Sequence, residues 1–145
     1  MKYDDASWHF GANNFGDLPE INGYTHTGTF VGWAILNGLA GDIHIEEWPE
    51  EISKLKSRQI SPAEFFRNNC DGKFTDEDLN DLGNKFAQHF FESDYFGIYA
   101  EAADPQGEYD NIYEVPSNWE TYDKVAPRLN QAFDHWKAVN KIWNM

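Results

Sequence analysis

TDEDLNDLGNKFAQHFF, residues 75–91, carries the plainest structural signal in the chain. Thr75 offers a hydroxyl to cap a helix. Asp76, Glu77 and Asp78 put carboxylates into its first turn, where the helix dipole favours them. Leu79, Leu82, Phe86 and Phe90 follow at steps of three, four and four, with Ala87 and Phe91 beside them. That period predicts an amphipathic helix from Thr75 whose aromatic stripe faces a core. It continues or bends through Tyr95, Phe96 and Tyr99.

Neighbouring segments supply partners for the stripe. Ser61-Pro62-Ala63-Glu64 is a capping box with proline at the first helical position, and it predicts a helix to Cys70 that buries Phe65, Phe66 or both. Asp71-Gly72 ends that helix. Thr25 to about Leu39 has apolar residues at helical spacing, with His26, Phe30, Trp33 and Asn37 on one side. A further helix is expected over about 45–57, starting at Trp48 if Pro49 takes the first helical position. Residues 104–116 read as a loop. Ser117 with Glu120 caps a last helix that Pro127 breaks or kinks, with Leu129, Phe133, Trp136 and Trp143 on its apolar face.

No stretch alternates long enough to predict a strand. Gly11, Asn13, Asn14, Gly16, Pro19, Asn22 and Gly23 punctuate residues 1–24 too densely for a long element. Tyr3, Trp8, Phe10, Phe15, Leu18 and Ile21 recur through them, as in an arm that inserts rings into a body. The expected fold is therefore all-α: one compact domain, 1–145, of five or six helices, with an irregular, aromatic-rich N-terminal arm, 1–24.

Charge narrows the function. There are 25 Asp plus Glu against 11 Lys plus Arg, a net charge of −14. Such a chain repels nucleic-acid phosphates and anionic lipid, so neither is an expected partner, and a basic protein is. The single cysteine, Cys70, allows no internal disulfide. No signal peptide is visible and no stretch is long and apolar enough for a membrane span, so a cytoplasmic protein is expected.

The segment KYDDASWHF, residues 2–10, places Asp4, Asp5, Ser7 and His9 together. Asp, Ser and His are triad residue types. Triads, however, are assembled from distant segments around a strained nucleophile turn, and no G-x-S-x-G is present. Tyr3, Trp8 and Phe10 as arm anchors, with Asp4, Asp5 and His9 bonded to helix ends or to His26, is the competing reading. Residues 67–78 align with a calcium loop, but Arg67 stands where a carboxylate should bind the ion and Asp78 replaces the bidentate Glu. His44-Ile45-Glu46 matches half of a zinc deaminase signature without its cysteines. His9, His26, His44, His89 and His135 lack paired metal-ligand spacing, so no metal or other cofactor is expected unless the fold gathers dispersed residues. Cys70, at a helix C-terminal end, reads as buried and inert.

Several segments look familiar: Lys2 to His9, Asp17 to Glu20 (D-L-P-E), Thr25 to Leu39, Cys70 to Asn80, and Trp119 to Asp123. Together they resemble a widespread family of small, acidic, uncharacterised bacterial proteins. By analogy, the resemblance implies a place among toxin–immunity systems.

The leading expectation is a cytoplasmic immunity-type inhibitor that occludes the active site of a cognate basic toxin. Partner contacts are expected at Trp8, Tyr24, Trp33, Glu46, Glu47, Tyr109 and Tyr113. Catalysis is the less favoured reading: a small hydrolase or metal-dependent enzyme using Asp4, Asp5, Ser7, His9 and His26 between arm and first helix. A regulatory module without a toxin partner is the third. The pattern leaves oligomeric state open.

Overall fold

The aromatic stripe of residues 79–91 lines the core of the computed structural model, which describes residues 1–142. Trp143, expected on the last apolar face, lies outside the described residues. The chain begins with strand β1 (Lys2–Asp5) and the short helix α1 (Ala6–Phe10). A 3-10 turn, Glu20–Gly23, leads into α2 (Thr25–Leu36), followed by α3 (Asp42–Glu47), α4 (Pro49–Lys56) and α5 (Pro62–Asn69). Strand β2 (Lys73–Thr75) and a 3-10 turn, Asp76–Asp78, precede α6 (Asp81–Phe90). A π-helical turn, Phe91–Tyr95, joins α6 to α7 (Phe96–Ala103). A last 3-10 turn, Ile112–Glu114, precedes α8 (Trp119–Val139).

The fold is mostly helical, as expected, but it is not purely so, and its described residues form more helices than the five or six expected. β1 and β2 pair antiparallel, with Asp4 opposite Phe74 and Asp5 opposite Lys73. Four and three residues are too few to show alternation in sequence. The arm is therefore less irregular than its glycines and asparagines suggest.

Three predicted boundaries also move, each for a local reason. Thr75 and Asp78 do form a capping box, but it closes only the 3-10 turn. Leu79 is drawn into an extended bridge with Ala40, so α6 restarts under Asn80, whose Oδ1 accepts the Gly83 N–H at 2.9 Å. The helix expected over 45–57 splits at Trp48, because the Pro49 ring disfavours helical backbone in the residue before it. At α8, Asn118 rather than Ser117 is the cap, accepting from the Thr121 N–H at 3.0 Å. Pro127 does not break α8. It removes one backbone donor, while buried Val125 and Leu129 hold the chain on either side.

α2 is the centre of the molecule, with every residue from Thr25 to Ile35 buried. The Phe30 ring lies 5.1 Å from both Phe91 and Tyr95 and 5.7 Å from Phe74. Phe65 and Phe66 of α5 are both fully buried. α2 and α5 approach so closely that a Cβ on Gly28 would come within 2.9 Å of the Ala63 Cα. Among the described residues, no helix is long and apolar enough to cross a membrane.

Gly28→Ala is expected to lose about 2 kcal/mol in urea unfolding, because backbone rather than a flexible side chain must yield. Gly97→Ala, on α7, meets nothing within 4 Å and should instead gain up to about 1 kcal/mol, as a helical glycine replaced by alanine.

Candidate functional site

Two features stand apart from the packed core: a polar cluster where the arm meets α2, and an exposed face on α3. At the arm, antiparallel pairing turns Asp4 inward on β1, and α1 then carries His9 back over it. The His9 Nε2 atom lies 2.9 and 3.0 Å from the two Asp4 oxygens and 3.1 Å from the His26 Nε2 of α2. The His9 Nδ1 is 2.7 Å from the Tyr113 hydroxyl, and the Thr27 hydroxyl donates to the Asp4 Oδ2. The Tyr95 hydroxyl donates to the His26 carbonyl from the far side of α2.

Burial sets the electrostatics. It works to raise the Asp4 carboxyl, but hydrogen bonds from His9 and Thr27 outweigh it and bring the group below the ordinary carboxylate value. Burial pushes His26 down to about 3; the nearby charge of His9 adds to this and Asp4 opposes it. The cluster thus presents an ionised carboxylate to a neutral His26 imidazole.

The structure brings together Asp4, His9 and His26 of the five residues expected in an arm site, and leaves Asp5 and Ser7 outside. Asp5 caps α1. It accepts from the Ser7 N–H at 3.0 Å and the Ser7 hydroxyl at 2.8 Å, and from the Lys2 Nζ at 2.8 Å. Ser7 therefore serves a helix cap, and the triad arrangement is not formed. Tyr3 is a buried anchor and Phe10 packs against Phe15 and Tyr24, but Trp8 is exposed and anchors nothing in the core.

The other expected partner residues divide sharply. Trp33 is fully buried, its Nε1 donating to the Asn130 Oδ1 at 2.8 Å, so this ring faces the core and not a partner. Tyr113 is buried beside His9. Tyr24 is half-buried between Phe10 and Phe66, and Tyr109 is half-buried too. Glu46 and Glu47 are exposed on α3.

Sequence reading missed what surrounds those two glutamates. Ile45 is 52% exposed, and Ile43 and Trp48 are each 42% exposed. Asp42 and Glu50 stand among them, also exposed. Only His44 of this stretch turns inward, where its Nε2 meets the Asp78 Oδ1 at 2.9 Å. Beside it, burial first and Asp78 second push the Cys70 thiol well up, consistent with an inert cysteine. Ile45, Pro49 and Ile52 line a cleft of about 390 Å³ with Ile35 and Ala40. Three large apolar residues interleaved with carboxylates are the available signal, but the helix expected over 45–57 takes in Ile45 and Trp48 and leaves Ile43 outside it.

A family model described as Domain of unknown function (DUF7832) matches residues 2–115. No curated protein and no solved structure matches the chain.

Asp5→Ala should cost about 1 kcal/mol through loss of the α1 cap, with Asp5→Asn retaining most of it. The Asp5 carboxyl is held at about 2, against 3.8 ordinarily, chiefly by Lys2 and Ser7 against the opposing effect of burial. A depressed value means that the charge stabilises the fold fully above pH 3.8 and ceases to as the pH falls through 2. The wild-type advantage over Asp5→Asn should therefore shrink across that window in acid unfolding.

Proposed function

The chain belongs to the DUF7832 family, and we propose that it is an acidic binding protein that docks a basic protein partner through α3 and the turn into α4. The observation that carries this reading is the exposure of residues 42–50 on all but His44. Ile43, Ile45 and Trp48 there stand among Asp42, Glu46, Glu47 and Glu50. Apolar anchors ringed by charge of one sign are what a protein interface of complementary charge uses. A net charge of −14 would speed the encounter and make it salt-dependent. The Ile45 cleft offers a place for one apolar side chain of the partner. The immunity reading is the specific form of this proposal: a cytoplasmic inhibitor whose partner is a toxin and whose acidic face covers the toxin's basic active site.

A photo-cross-linking residue placed at Ile45 in the producing cell is expected to trap a basic protein. The triple reversal E46K/E47K/E50K should abolish the adduct without lowering the thermal midpoint. The trapped protein, expressed alone, should arrest growth, and co-expression of the wild-type chain should relieve the arrest. An adduct that survives the reversal, or a trapped protein of acidic charge, would overturn the docking proposal. A basic partner that does not arrest growth would overturn the immunity form alone.

A further inference from the structure

We propose that Asp4, His9 and His26 form a binding site for a single divalent ion of the zinc and iron(II) class. The first argument is a count of protons. Three inward atoms meet the His9 Nε2: the two Asp4 oxygens and the His26 Nε2, at 2.9 to 3.1 Å. One imidazole nitrogen carries at most one hydrogen. If the His9 Nε2 bears it, that hydrogen is divided among three acceptors. If the His26 Nε2 donates to a bare His9 Nε2, the His9 lone pair points at a carboxylate from 2.9 Å. If both nitrogens bear hydrogens, the two hydrogens crowd one another across 3.1 Å, and the alternative acceptor for His26, the Asp4 Oδ2, is 3.8 Å away. A cation satisfies both lone pairs and the carboxylate together.

Separation and surroundings agree. The three donor atoms lie within 4.8 Å of one another, with nearest approaches of 2.9, 3.1 and 3.8 Å. Tetrahedral ligands on bonds of 2.0–2.1 Å lie about 3.3 Å apart, inside that range. Two imidazoles with one carboxylate suit zinc or iron(II) rather than calcium or magnesium. Two of the three ligands have the outer contacts of a metal centre, and the His26 Nδ1 has none. The Tyr113 hydroxyl fixes the His9 Nδ1, and the Thr27 hydroxyl fixes the Asp4 Oδ2. Three protein donors leave a tetrahedral ion one position for water. The His9 side chain, 15% exposed, gives the route in.

The second polar cluster is different. The Asp78 Oδ1 accepts from the His44 Nε2 at 2.9 Å, and its Oδ2 accepts from the Thr75 N–H at 2.9 Å. The Cys70 Sγ stands off at 3.8 Å from the His44 Nε2. There each Asp78 oxygen takes its own hydrogen and no ring nitrogen meets a second one, although the His44 Nδ1 is buried without a partner as well.

The test uses the full chain after dialysis against a chelator. Titration with Zn²⁺ by calorimetry and with Co²⁺ by absorption should show one ion per chain, with tetrahedral cobalt bands. His9→Gln, His26→Gln and Asp4→Asn should each weaken binding at least about tenfold, and Tyr113→Phe should weaken it less. His44→Gln should leave it unchanged. Wild-type protein gives a readout that no misfolded variant can obscure: X-ray absorption of the zinc form should show imidazole scattering without sulfur. No uptake by wild type, uptake unaffected by His9→Gln and His26→Gln, or a thiolate-to-cobalt band from Cys70 would each overturn the proposal.

Discussion

A helix without a solvent face must find partners inside the protein for its polar side chains, and α2 is such a helix, with the His26 Nδ1 left without one. Its apolar residues meet this constraint by packing, Phe30 at the centre of the aromatic cluster. Its polar residues meet it by recruiting the rest of the chain. Thr25 and Thr29 turn back to the carbonyls of Ile21 and Thr25. Thr27 takes Asp4 from the arm, His26 takes His9, and Trp33 takes Asn130 from α8. Arm and last helix are in place because α2 has polar groups to satisfy.

Other contacts of the arm join residues far apart in sequence. His9 reaches Tyr113 across 104 positions, and Tyr3 reaches Asn84 across 81. Closing loops of that size costs chain entropy, which the arm's contacts with Tyr113 and Asn84 must offset. Short-range helices such as α5, with a complete capping box of its own, are better placed to form early.

What could be read from the sequence follows the same division. The aromatic stripe, the α5 cap and the buried pair Phe65 and Phe66 were legible, because a local period or a local hydrogen bond encodes each of them. The β1–β2 ladder was not, since its partners are some 70 residues apart and its strands too short to alternate. Asn80 and Asn118 were passed over as caps because Thr75 and Ser117 offered equally good local chemistry. Only the tertiary bridge from Leu79 to Ala40 settles the first of these. At the arm, the grouping of Asp4, His9 and His26 was legible and the exclusion of Ser7 was not, because the α1 cap claims the Ser7 hydroxyl. Trp33 looked like a surface ring only because a single sequence does not reveal that its helix is buried all round.

The attachment of α3 through one inward side chain has an evolutionary consequence. The carboxylates of this stretch, Asp42, Glu46, Glu47 and Glu50, answer to almost no packing demand, so substitutions there cost the fold little. A core this aromatic resists change, whereas this rim can be rewritten one residue at a time. Such a face can change its charge without disturbing the contact between His44 and Asp78 that mounts it.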